Sequence, residues 1–235
     1  ESVYDVPINF ENDNIGNIIL HTLRINGREY KTDLGDWKKF VGKVKGAKKE
    51  VKIAVVGKYF DTGDFVLSDA YVSVIEAIKF SAYAQGLKAN LTWINSKNFS
   101  AEGGSASGGE IKKRLSDLMK FDGIIVPGGF GESGVEGKIE AIKFARENKI
   151  PYFGLCYGMQ LAVIEYARNV AKLAGAHTTE VSPESKHPVI DIMPDQKEKL
   201  KKGDMGGSMR LGKYTAILKS GSIARGAYNA SQIEE

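Results

Sequence analysis

Cysteine is nearly absent: the 235 residues contain one, Cys156. A lone cysteine cannot close an internal disulfide, so a reducing, cytoplasmic setting fits best. No apolar run is long enough to span a bilayer, and no membrane role is expected. The opening Glu1-Ser2-Val3-Tyr4-Asp5 has no basic end followed by an apolar stretch, so no signal peptide is expected. It also has no initiator Met, which points to a fragment or a processed chain. Histidine is scarce, with only His21, His177 and His187. Neither sign of charge dominates: the formal net charge is +4. Much of the lysine excess sits in two short runs, Lys43 to Lys49 and Lys197 to Lys202. Neither run is interleaved with aromatics. Nucleic-acid sites combine a broader basic face with a recognisable motif, so no nucleic-acid partner is expected, although an anionic nucleotide could still bind. What is present is ordinary for a globular chain: 42% hydrophobic residues, enough for a sizeable core.

Residues 1 to 46 read differently from the rest. An extended lead through Pro7 precedes a short helix near Ile18 to Leu23, and Asp36 to Val41 reads as another. This is too little apolar surface to fold alone, so the segment reads as the end of something larger, with a linker from Gly42 to Glu50. From Val51 strands and helices alternate. Lys52 to Val56, Ala89 to Asn95, Gly123 to Val126 and Tyr152 to Leu155 are short apolar or β-branched strands. Ser68 and Asp69 can cap a helix with Ala70, Val74, Ala77, Ile78 and Ala82 on one face, stopping at Gly86. Further helices are expected over 111–119, 138–148 and 158–172, and a Gly/Ser-rich loop over 100–109. This order implies an α/β fold: a mostly parallel sheet with helices on both faces and ligands at the carboxyl ends of the strands. After Gly175, short alternating runs such as Tyr214 to Leu218 point to added antiparallel strands.

Gly154-Leu155-Cys156-Tyr157-Gly158 is a G-x-C-x-G pattern between a strand and a helix, the thiol form of a nucleophile elbow. The flanking glycines let the chain turn sharply. The thiol then stands at a helix N-terminus, whose partial positive charge favours the thiolate. The Tyr157 N–H can stabilise an oxyanion, and a second donor suits the glycine loop Pro127-Gly128-Gly129-Phe130-Gly131. The bland alternative is a small buried cysteine; the strand–turn–helix setting argues against it. The stretch Gly129 to Gly134 also fits G-x-G-x-x-G. It follows the third strand rather than the first and lacks the acidic residue ending the next one, so a dinucleotide site is not expected.

These motifs resemble those of class I glutamine amidotransferases: the glycine loop at Pro127, then Gly154-Leu155-Cys156-Tyr157-Gly158-Met159-Gln160-Leu161-Ala162. Further stretches resemble the CTP synthase family, namely Arg168-Asn169-Val170-Ala171, Ala176-His177-Thr178-Thr179-Glu180, His187-Pro188-Val189-Ile190 and Gly206-Gly207-Ser208-Met209-Arg210-Leu211-Gly212. Glu1 to Val41 is similar to the tail of that family's synthetase domain. The resemblance thus implies two parts: residues 1–46, a synthetase tail with linker, and 51–235, a flavodoxin-like amidotransferase domain. It implies that Cys156 attacks the side-chain amide of L-glutamine and that Gly129 and Tyr157 hold the oxyanion. Gly129, Tyr157, Gly158, Met159, Gln160 and Glu180 would bind glutamine, with Glu180 facing its α-ammonium. No cofactor or metal is implied for this part. In the complete protein, ammonia would pass to a synthetase domain that uses ATP and Mg²⁺ to aminate UTP, with GTP as activator and a homotetramer as the assembly.

One departure stands out. The family uses a His and a Glu two residues apart near the C-terminus as base and orienting acid. No His-x-Glu occurs here, and none of the three histidines matches that position; all three read as structural or solvent-facing. The expectation is a chain truncated or incomplete after Glu235. Two alternatives stay open: a catalytically silent regulatory or assembly module, and the glutaminase half of another amidotransferase such as GMP synthase.

Overall fold

The computed structural model describes residues 2–25, 33–57, 71–101, 104, 107–129, 131–193, 196–197 and 213–234. The expected cap at Ser68 and Asp69, Ala70, Phe130 and the 206–212 motif lie outside the described residues. Contacts divide the chain into two compact units, Glu1–Ile190 and Asp191–Glu235.

The first unit begins with helices where an extended lead was expected. Ser2 opens a 3-10 turn over Val3–Asp5 through a capping box, and α1 (Val6–Asn12) and α2 (Ile15–Thr22) follow. Pro7 falls in the first turn of α1, where no backbone donor is needed. Helix α3 (Gly35–Gly46) runs through most of the expected linker and leaves only Ala47 and Lys48 before β1 (Lys49–Gly57). Tertiary burial extends it. Val41 is buried, and Phe40 stacks on Phe80 of α4 (Val72–Ala84) with centroids 4.7 Å apart. Tyr4 stands edge-on to Phe40 and Phe80 and donates its hydroxyl to the Glu76 carboxylate at 2.6 Å. Burial, then that carboxylate, pushes the Tyr4 phenol well above the ordinary tyrosine range.

The remaining elements of the unit are β2 (Leu87–Asn95), a 3-10 turn at Ser96–Phe99, α5 (Gly108–Ser116), a second 3-10 turn at Asp117–Lys120, β3 (Gly123–Val126), α6 (Val135–Glu147), β4 (Tyr152–Gly154), α7 (Tyr157–Asn169), β5 (His177–Thr178) and β6 (Pro188–Ile190). The first four strands form a parallel sheet in the order β2-β1-β3-β4. The strand order reverses direction between β1 and β3, which is where such sheets open a crevice at their carboxyl ends. Side chains alternate between the two faces. Ala54 and Val56 join Ile139, Ile142, Leu161 and Ile164 of α6 and α7 in one core. Val55 and Ile53 join Tyr71 and Val74, Ile75 and Ile78 of α4 in another. Expected and observed elements differ chiefly at their ends, because caps rather than periodicity set the boundaries. Beyond Gly175 the pairing is mixed: β5 and β6 are parallel.

In the second unit, β7 (Thr215–Ile217) pairs antiparallel with β8 (Gln232–Glu234) across α8 (Ile223–Tyr228). Ser222 caps α8 by accepting from the Arg225 amide.

The α6–α7 contact carries a buried charge. Glu165 is 1% exposed and accepts from Arg146 Nε at 2.9 Å and Nη2 at 2.8 Å, with Asn169 Nδ2 adding 3.1 Å. Arg146 keeps 34% of its side chain in solvent against 1% for Glu165. The two partners are therefore unequal: removing Arg146 strands a buried carboxylate, whereas removing Glu165 frees a solvated guanidinium. Arg146→Met should cost about 3 kcal/mol in chemical denaturation, and Arg146→Met with Glu165→Leu should recover most of that loss.

Candidate active site

The glycine loop after β3 and the turn after β4 meet at the carboxyl edge of the sheet. Leu155 donates its amide to the Val126 carbonyl at 3.0 Å, so β4 stays in register with β3 until one residue before the cysteine. The chain then reverses at Cys156, with φ 51° and ψ −106°. That is a left-handed backbone for a residue with a Cβ, costing on the order of 1–3 kcal/mol and persisting only where neighbours enforce it. The neighbours are identifiable. A Cβ on Gly158 would lie 2.1 Å from the Val126 carbonyl oxygen, and one on Gly154 would lie 2.6 Å from the Gly158 carbonyl carbon. Both glycines are required by close backbone approach, and the strained residue between them is the thiol carrier. Cys156 is exposed, which rules out the buried-cysteine reading.

The turn is locked from below. Tyr152, on β4, donates its hydroxyl to the Gly158 carbonyl at 2.8 Å, and burial pushes its phenol well above the ordinary range. The Gly158 amide bonds the Leu155 carbonyl at 2.9 Å and the Gln160 amide bonds the Cys156 carbonyl at 3.1 Å. Tyr157 is the first residue of α7, so its N–H has no acceptor within the helix. Gly128 lies beside the thiol: a Cβ there would sit 3.6 Å from Cys156 Cβ.

A second side of the site comes from the Tyr157 ring and Glu180. The buried Tyr157 hydroxyl donates to the Gly131 carbonyl at 3.4 Å, and the Gly131 amide donates to Glu180 Oε1 at 3.4 Å. Burial first, then the charges of Glu180 and Glu132, push the Tyr157 phenol up to about 12. Lys138 Nζ lies 5.5 Å from the same ring centroid, a cation over an aromatic face.

The structure thus gathers Cys156, Tyr157, Gly158, Gly128 and Gly131, with Glu180 reaching Gly131 by one amide. Met159 is 56% exposed, and Gln160 is half-buried on the first turn of α7. Sequence reasoning missed Tyr152, whose tie to Gly158 has no local signal because it depends on the fold of β4 under α7. His177 faces Glu136 at 3.8 Å through Nε2, while its Nδ1 accepts the Thr178 amide at 2.9 Å. His21 is exposed and His187 is half-buried. Among the described residues no group of three or more His, Cys, Asp or Glu could hold a metal ion. An apolar groove of about 500 Å³ lies on the α4 face, lined by Val74, Ile78, Phe153 and Leu155 among others. Its wall suits hydrocarbon rather than a zwitterionic amino acid, so the polar cluster at Cys156 is the better candidate.

Two outcomes are expected. Gly158→Ala should destabilise the unit by at least about 2 kcal/mol in a denaturant titration, since the new methyl would lie 2.1 Å from the Val126 carbonyl oxygen. By NMR titration, His177 should protonate below the ordinary imidazole value, because burial and then Arg168 disfavour its charge. The sign follows: the neutral ring stabilises the fold above the ordinary value, and that contribution is lost as pH falls through the lowered one.

The likenesses agree with this geometry. A sequence profile described as "Glutamine amidotransferase class-I" matches residues 66–233. The chain is 44% identical over 235 residues to a protein named CTP synthase from Halalkalibacterium halodurans, covering all of this chain and 40% of that one. It is also 44% identical over 234 residues to the CTP synthase of Methanocaldococcus jannaschii, of which it covers 41%. The chain therefore spans about 40% of the length of these curated relatives. Among solved structures, the glutaminase domain of Trypanosoma brucei CTPS with bound acivicin matches at TM-score 0.66 and 35% identity, over 79% of this chain and 65% of that one. With its elbow cysteine, parallel sheet and profile match across most of its length, this chain belongs to the class I glutamine amidotransferase family.

Proposed function

We propose that this chain is the glutamine-hydrolysing part of a CTP synthase. The observation that carries the reading is the exposed Cys156 held in a left-handed turn at the head of α7. Such a turn is strained, and its use is to lift a nucleophile clear of the sheet. The Cys156 thiolate attacks the side-chain carbonyl carbon of L-glutamine. The amides of Gly129 and Tyr157 take the oxyanion, ammonia leaves, and a glutamyl thioester remains for water to hydrolyse. Gly158, Met159 and Gln160 line the substrate side, and Glu180 receives the α-ammonium group.

Ammonia then serves a synthetase domain of the same polypeptide, where ATP with Mg²⁺ activates UTP for conversion to CTP. GTP acts as activator, and the complete protein works as a homotetramer. The setting is cytoplasmic, in keeping with a single unpaired cysteine; among the described residues no helix is long and apolar enough to cross a membrane. Proton transfer to the departing ammonia belongs to a His-x-Glu pair, which these 235 residues do not contain. The second reading is a catalytically silent regulatory or assembly module.

The test is covalent labelling of the polypeptide as its gene encodes it, using a glutamine-analogue electrophile with intact mass and peptide mapping. One adduct on Cys156, prevented by glutamine and lost in Cys156→Ala, is the expected result. If the encoded polypeptide carries the His-x-Glu pair and gains no adduct, the glutaminase reading falls and the silent module replaces it.

A further inference from the structure

Two segments, 168–171 and 176–180, carry no role in the chemistry at Cys156 apart from Glu180, yet the fold ties them together through one side chain. Arg168, in the last turn of α7, donates from Nε to the Ala176 carbonyl at 2.7 Å. Its Nη1 donates to both carboxylate oxygens of Glu136, at 3.0 and 2.8 Å. Glu136 is in the first turn of α6, and the next residue holds that turn in place: a Cβ on Gly137 would lie 1.9 Å from the Ser96 carbonyl oxygen. The guanidinium therefore bridges a fixed helix end and the start of β5.

From Ala176 the path to Glu180 is short and closed by hydrogen bonds. Ala176 is fully buried and Thr178 is 2% exposed. His177 accepts the Thr178 amide on Nδ1 and donates its own amide to the His187 carbonyl at 3.1 Å. The Thr178 hydroxyl accepts the Glu180 amide at 3.2 Å, and the Thr178 carbonyl accepts the Ser182 amide at 2.9 Å. Glu180 then meets the Gly131 amide. A shift of Ala176 would travel along this hydrogen-bonded turn to the carboxylate. Cys156 is spared, because α7 separates it from Arg168 by about 18 Å of helix.

We propose that Arg168, with Glu136 as its counter-charge, is a positioning residue that sets the Glu180 carboxylate against the glycine loop and so governs affinity for the α-ammonium group of glutamine. The proposal rests on the glutaminase reading above. Arginine suits the task because its rigid fork donates to a carbonyl and a carboxylate at once, which a single ammonium does less well. Only 19% of the Arg168 side chain is exposed, against 48% for Glu136, so the guanidinium is the more firmly held partner.

The experiment separates amino-acid recognition from thiol reactivity. On the encoded polypeptide, the glutamine concentration that half-protects Cys156 from a glutamine-analogue electrophile is measured beside the alkylation rate with iodoacetamide, which needs no α-ammonium site. Arg168→Ala should raise the half-protecting concentration by about tenfold, the size of one lost charge-assisted hydrogen bond, with the iodoacetamide rate unchanged. Arg168→Lys should recover part of the loss. Glu136→Gln, at a half-exposed position, should act in the same direction and guards against misfolding of the alanine variant. In a Glu180→Gln background the Arg168→Ala effect should vanish, because both changes remove one function. Unaltered protection in Arg168→Ala and Glu136→Gln overturns the proposal. So does an iodoacetamide rate that falls in step, or full additivity with Glu180→Gln. If glutamine protects no variant, wild type included, the glutaminase reading itself fails and takes this proposal with it.

Discussion

The rest of the site depends on the turn at Cys156. A residue with a Cβ stands in the left-handed half of the backbone map because the chain on either side has no other route. Gly154 and Gly158 pass so close to backbone that a methyl group fits at neither. The register of β4 on β3 delivers the chain to this point, and Tyr152 holds the far side of the turn by its hydroxyl. Strain at one residue is thus held by packing over a much larger area, which is how a fold keeps a costly conformation at a working position. The gain is an exposed cysteine at the start of a thirteen-residue helix.

The helices around that turn are fixed by polar groups as well as by hydrocarbon. Glu165 is buried under α7 and answered by Arg146 from α6. Three residues further along α7, Arg168 answers Glu136 in the first turn of α6. The core between them comes from Ile139, Ile142, Leu161 and Ile164. Non-directional burial holds the two helices together, while the paired charges add directional contacts between them. Arg168 also reaches the Ala176 carbonyl before β5, and Thr178 of β5 holds the backbone amide of Glu180. Electrostatics here serves geometry more than net stability, since a desolvated ion pair seldom outweighs hydrocarbon of equal volume.

The amino-terminal arm shows the opposite balance. Its sequence reads as two weak helices and a linker, yet Tyr4, Phe40 and Phe80 build an aromatic cluster with α4. That contact extends α3 through Gly42 to Gly46. Local propensity is a weak prior against burial of several rings, so the expected extended lead and long linker gave way to helix.

The sequence by itself determined the parallel α/β order, the positions of the four sheet strands and the elbow at Cys156. These rest on local signals: apolar runs of strand length, and glycines where backbone must pass close. It also picked out Glu180 by resemblance, though nothing local distinguishes that carboxylate from a surface acid. Only tertiary structure decided that Glu180 reaches the Gly131 amide, that Tyr152 braces the turn, and that Arg168 joins Glu136 to Ala176. Each of these contacts links residues distant in sequence or on different elements, and its partner is chosen by how helices and strands pack. Periodicity reports which face of an element is apolar; it carries no record of which polar group waits on the neighbouring one.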